Sequence, residues 1–152
     1  MTSRESFTTP DWQTLQTAVI GTIYYLTMGR SGIVDDFIDK RIAHKTLDLY
    51  KAQTQSSFIE DLVNLKDYKW PIPKYGRQNA EAIWPTVLKS ISDSITVINQ
   101  QDPTILTLFK NLVLTLAYNI ATNNDASPKE NQQYLNIVTA FENNALAITD
   151  DL

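Results

Sequence analysis

Apolar residues recur along most of the chain at the spacing of an α-helix rather than a strand. From Pro10, Leu15, Val19, Ile23 and Leu26 form one stripe with Ala18 and Tyr25 beside it, which predicts an amphipathic helix to about Met28. Gly29-Arg30-Ser31-Gly32 punctuates it, because glycine enters left-handed conformations at little cost. Asp35 or Asp36 is placed to cap a second helix. Its apolar side reads Val34, Phe37, Ile38, Ile42, Leu49 and Tyr50, and its solvated side Asp39, Lys40, Arg41, Lys45, Asp48 and Lys51. A short third helix opens at Ser56 or Ser57 and carries Phe58, Ile59, Leu62, Val63 and Leu65, a stripe too narrow to stand without tertiary support. Pro71, Pro73 and Gly76 then forbid a continuous helix between Lys66 and Gln78.

Asn79 caps the next pattern, Ala80, Ile83, Trp84, Val87, Leu88, Ile91, Ile95 and Ile98. Pro85 inside it predicts either a kink or a fresh helix start. A helix with Pro103 in its first turn follows, apolar on most sides from Ile105 to Ile120, which predicts a central position. The last helix opens at Ser127-Pro128-Lys129-Glu130, a capping-box arrangement, with Tyr134, Ile137, Val138, Phe141 and Ala145 inward. No run of strand period competes. The expected class is all-α, a compact bundle of about six to seven helices. One domain is expected over 11–148, behind a flexible lead-in over 1–10.

Composition narrows the chemistry. The chain has 152 residues, 43% hydrophobic and 20% charged, enough for a core. Thirteen Lys and Arg against seventeen Asp and Glu give a net charge of −4, which argues against nucleic acid as a partner. With no Cys and a single His, thiolate sites, cysteine nucleophiles and multi-His metal centres are excluded by inventory. Four glycines, at 21, 29, 32 and 76, form neither a dinucleotide fingerprint nor a phosphate-binding loop. These absences lead us to expect no enzymatic activity. The stretches 18–26 and 112–121 are interrupted by Gly21, Thr22, Thr115 and Asn119 and fall short of the roughly 20 apolar residues of a membrane span, so membrane insertion is not expected. Met1–Pro10 lacks an apolar signal core, and the expected location is the cytoplasm.

Displacing the chain on itself by 92 residues pairs Ile20 with Leu112, Tyr24 with Leu116, Met28 with Ile120, Asp35 with Ser127, Ile42 with Tyr134 and Leu49 with Phe141. The register fails at Ala18 with Lys110 and at Ile38 with Glu130. Periodicity alone produces some of this pairing, but each half shares a plan: a long apolar helix, a short turn, acidic residues and a second helix. In layout, from about Trp12 to Leu146, the chain resembles the TerB-like family of tellurite-resistance-associated helical domains. In that family each half has a helix ending in an Ala-Asp-Gly-like pattern, a Ser or Asp cap and a Glu opening the next helix. Here Ala121 to Glu130 follows that plan with Asn123-Asn124 where Asp-Gly would stand. Met28 to Asp36 keeps Gly32 but has Ser31 in place of the aspartate, and lacks the Glu.

The resemblance implies a stress-response domain that can bind a divalent cation through its two acidic turns. Ca²⁺, Mg²⁺ and Mn²⁺ favour oxygen ligands, and Asp35, Asp36, Asp39, Asn123, Asp125 and Glu130 supply them if the turns lie side by side. Exchange of motif aspartates for Ser31 and Asn123 lowers the charge available to the ion. Asp35, Asp36, Ser127 and Glu130 also fit a purely structural role as helix-start residues. An EF-hand is excluded, because counting from Asn123 puts Pro128 where the loop needs Gly and Tyr134 where it needs Glu.

The segment 66–77 interleaves four basic residues with Tyr68, Trp70 and Tyr75. Lys69, Trp70, Lys74, Tyr75 and Arg77 can grip an anionic protein partner, or the segment can serve as a proline-stiffened crossover whose aromatics cap the core. A regulatory protein-interaction module is therefore the alternative function, with a protein partner expected in either case. The apolar stripes also allow a homodimer. His44, with Asp48 four residues on, reads as a surface pair on a helix rather than a general base.

Overall fold

A computed structural model of the chain describes residues 2–27, 33–64, 80–122 and 128–150, with side chains described over 2–26, 41–64, 82–122 and 131–142. Six helices run through them: α1 (Thr9–Thr27), α2 (Ile33–Thr54), α3 (Ser57–Leu62), α4 (Ala80–Gln101), α5 (Leu106–Thr122) and α6 (Pro128–Asp150). Short 3-10 turns precede α1 (Arg4–Ser6) and α5 (Pro103–Ile105). No strand occurs among the described residues, so the class is all-α, as the helical periodicity predicts.

Two helices share the centre. α1 packs against α4, α5, α2 and α6, and Trp12, Leu15, Ala18, Val19, Ile23, Tyr25 and Leu26 are buried on its several sides. The same burial takes in Thr17 and Thr22, whose hydroxyls donate to the carbonyls of Gln13 and Ala18 one turn back, both at 2.8 Å. Those bonds let the polar residues enter the core without an unmet donor. α5 contacts α1, α2, α6 and α4 through a face that includes Phe109, Leu112, Leu116 and Ile120. The span Pro103–Thr122 has a mean hydropathy of 1.4 and is long and apolar enough to cross a bilayer by composition alone. Here it serves as a core helix of the bundle.

α4 runs antiparallel to α1. The Ser94 hydroxyl donates to the Thr14 carbonyl at 3.4 Å, and eleven residues further along α1 the Tyr25 ring stacks on Trp84 with centroids 4.7 Å apart. Pro85 neither breaks α4 nor starts it anew: the helix is continuous from Ala80. The proline is exposed and removes one N–H from the hydrogen-bond ladder without ending the helix.

The buried face of α2 differs from the apolar stripe expected for it. Ala43, Thr46 and Leu47 are buried, Ile42 and Tyr50 half-buried, and Leu49 is 53% exposed. The seam at 43, 46, 47 and 50 is held by polar contacts that an apolar count overlooks. Asn119 donates from Nδ2 to Thr46 Oγ1 at 3.0 Å, and the Tyr50 hydroxyl donates to the Leu108 carbonyl at 2.9 Å. Burial raises the Tyr50 phenol above its ordinary pKa, keeping it a donor. Val34, Phe37 and Ile38 lie on α2, with side chains outside the described set.

The first residues pack against the bundle instead of trailing from it. The Arg4 N–H donates to Asp61 Oδ2 at 3.1 Å, and the Ser3 N–H to Ser6 Oγ at 3.2 Å. The Phe7 ring lies 5.6 Å from Trp12 and 6.0 Å from Phe58, while Trp12 meets Phe58 edge-on at 5.8 Å. Ser56 caps α3, its hydroxyl accepting from the Ile59 N–H at 3.4 Å. The six-residue helix is then anchored by buried Phe58, Ile59 and Leu62.

Thr2 ties the same segment to the start of the α5 region by donating its hydroxyl to Asp102. Hydrogen bonds from the Thr104 and Thr2 hydroxyls hold the Asp102 carboxyl below its usual pKa. A lowered folded-state pKa contributes stability that is complete above the unfolded value, about pH 4, and is lost as pH falls through the folded value. Asp102→Asn is therefore expected to lower the urea midpoint at pH 7, with the gap to the parent narrowing as pH falls below about 4. A gap independent of pH would contradict this origin.

One buried group stands out on α6. Gln133 is 4% exposed and its Oε1 has no hydrogen-bond partner among the described residues. An unmet buried acceptor costs about 1–3 kcal/mol, so Gln133→Met, of similar volume, is expected to raise the thermal midpoint. A lowered midpoint would mean that the oxygen finds a partner in solution.

Candidate functional site

The pairs α1 with α2 and α5 with α6 each flank a segment outside the described residues, 28–32 and 123–127. A displacement of 95 aligns buried Ala18 with Val113, Thr22 with Ala117, Leu26 with Ala121 and Thr46 with Phe141, but sets buried Ile23 against exposed Tyr118; one of 92 sets exposed Leu49 against buried Phe141. A slip of three residues is close to one helical turn, so apolar periodicity alone hardly separates the two registers.

At a displacement of 95 the acids correspond differently, and Asp35 pairs with Glu130. Asp36 pairs with Asn131, Asp39 with Tyr134, and Arg30 with Asp125. Asp35 and Asp36 are helical residues of α2 rather than its cap. A carboxylate in the first turn of a helix interacts favourably with its unsatisfied N–H groups.

Described side chains show which helix ends share this region. Tyr25, near the end of α1, stacks on Trp84, near the start of α4. Asn136 of α6 donates from Nδ2 to the Tyr25 hydroxyl at 2.9 Å, and Gln132 donates from Nε2 to Asn136 Oδ1 at 3.0 Å. Tyr118 of α5 and Tyr134 of α6 meet edge-on at 5.8 Å. The end of α1, the start of α4 and the first turns of α6 therefore gather at one end of the bundle. α3 sits at the other, against Trp12 and the 3-10 turn.

Asp35, Asp36 and Asp39 belong to α2 and Glu130 to α6, with side chains outside the described set; Asn123 and Asp125 lie outside the described residues. Lys69, Trp70, Lys74, Tyr75 and Arg77 also lie outside them, as do the expected caps Asn79 and Ser127. Among the described residues, no three His, Asp or Glu side chains converge as metal ligands. His44 is exposed on α2.

A feature absent from the sequence reading is a polar cavity of about 110 Å³ at the opposite end, lined by Arg4, Gln13, Gln16, Asp61 and Asn64. Its one sequence signal is Gln16, a glutamine in helical register with Trp12 and Val19 on the buried face of α1. No protein family, curated protein or solved structure matches the chain.

Proposed function

We propose that the protein is a non-catalytic helical binding domain of TerB-like type, acting in a stress response and taking a divalent cation at the end of the bundle that carries the two hairpin turns. The observation that supports this reading is that Asp35 and Asp36 of α2 and Glu130 of α6 lie among the first described residues of the second helix of each pair. Hard cations bind through several oxygens, and carboxylates of Asp35, Asp36 and Glu130 with Asp125, the Asn123 carbonyl and backbone carbonyls form a suitable set.

Calorimetric titration of EDTA-treated protein with Ca²⁺, Mg²⁺ and Mn²⁺ tests the proposal, alongside an Asp35→Ala, Asp125→Ala double variant. Saturable binding by the parent, lost in the variant, is the expected outcome. No binding of any of the three ions, or equal binding by both proteins, would remove the basis for a cation site there.

A further inference from the structure

The polar cavity at the far end of the bundle has features that a water-filled surface recess does not require. Arg4, from the 3-10 turn, makes no ion pair among the described residues. Asp61, from the end of α3, uses Oδ2 to accept the Arg4 backbone N–H and leaves its other oxygen without a described partner. Gln16 is 5% exposed, yet its amide makes no described hydrogen bond. It is also not among the sealed-off orphan atoms, which are Trp12 Nε1 and Gln133 Oε1. Gln16 is one of the residues that line the cavity. Buried side-chain amides ordinarily find partners, so this one marks a place where a polar ligand completes the set.

Size and charge limit what the ligand is. A cavity of roughly 150 Å³ holds benzene, with its six heavy atoms, so 110 Å³ suits a ligand fragment of about four or five. The lining offers one full positive charge and one full negative charge. A ligand of a single sign would leave one of them unmet and set a like charge beside the other. We infer that the cavity formed by Arg4, Gln16 and Asp61 is a binding site for the zwitterionic head of a small α-amino acid. Arg4 faces the carboxylate as a fork-shaped donor, Asp61 accepts from the ammonium, and the Gln16 amide completes the hydrogen bonding. The site stands independently of the cation proposal, at the opposite end of the molecule.

Titration with glycine and L-alanine, followed by the NMR resonances of the Gln16 side-chain amide, tests the inference on the full chain, with acetate, methylamine and urea as controls. Saturable shifts with the amino acids and not with the controls are expected. At least a tenfold loss of affinity is expected in Arg4→Ala and in Asp61→Asn, and none in Lys89→Ala. Asp61→Asn keeps an oxygen for the Arg4 N–H, and Arg4→Ala removes only an exposed side chain, so at least one variant reports on a folded protein. Absence of saturation, equal shifts from the controls, or unchanged affinity in the folded variants would overturn it.

Discussion

Phe58→Ala is expected to lower the free energy of unfolding by about 3–5 kcal/mol, the usual loss for truncating a buried aromatic. The ring is completely buried and lies between Phe7 and Trp12, at 6.0 and 5.8 Å. It joins α3, which is too short to persist alone, to α1 and to the N-terminal 3-10 turn. Its removal loosens three elements at once. Leu49→Ala is the matching control, expected within about 0.5 kcal/mol because the side chain is 53% exposed on α2. Urea unfolding of both variants measures the difference. A large loss at Leu49 would show that the outer face of α2 is covered in solution, as a partner or second copy would cover it.

The second large effect is a cation-dependent gain in stability. An ion that binds only the folded chain stabilises it by about 2.7 kcal/mol at a hundred times its dissociation constant. The gain is expected to disappear in an Asp35→Asn, Glu130→Gln double variant, measured by thermal unfolding with Ca²⁺ and with EDTA. The comparison separates the two roles open to these acids. As helix-start residues they contribute about 0.3–1 kcal/mol each through the macrodipole, whether or not a cation is present. As ligands they account for a further loss seen only with the ion. A parent protein whose midpoint is the same with Ca²⁺ and EDTA would assign them to helix starts alone.

Most of the fold is legible in the sequence because helices that bury one stripe announce it every three or four residues. The starts of α1 and α3 fall within a residue of the expected positions. Where the reading differs, the deciding contact is one that residue type does not signal. Thr46 and Tyr50 set the seam of α2 through hydrogen bonds to α5, leaving Leu49 outside. Phe7 is a lone aromatic in a polar stretch, and only the Trp12–Phe58 pair across α1 and α3 gives it somewhere to pack. The acids of the candidate site were visible as residue types, but one helical turn separates two nearly equivalent alignments of the halves that pair them differently. Gln16 offered only a polar side chain on a buried face, and its cavity depends on Arg4 and Asp61 arriving from distant parts of the chain.

The most direct measurement is the paramagnetic broadening of amide resonances by substoichiometric Mn²⁺ in the EDTA-treated protein. Broadening that begins together at 33–36 and 128–131, and spares the exposed acids Asp93 and Glu142, is the result expected if the two turns share one ion. Broadening confined to one hairpin, or spread evenly over surface carboxylates, would contradict a shared site.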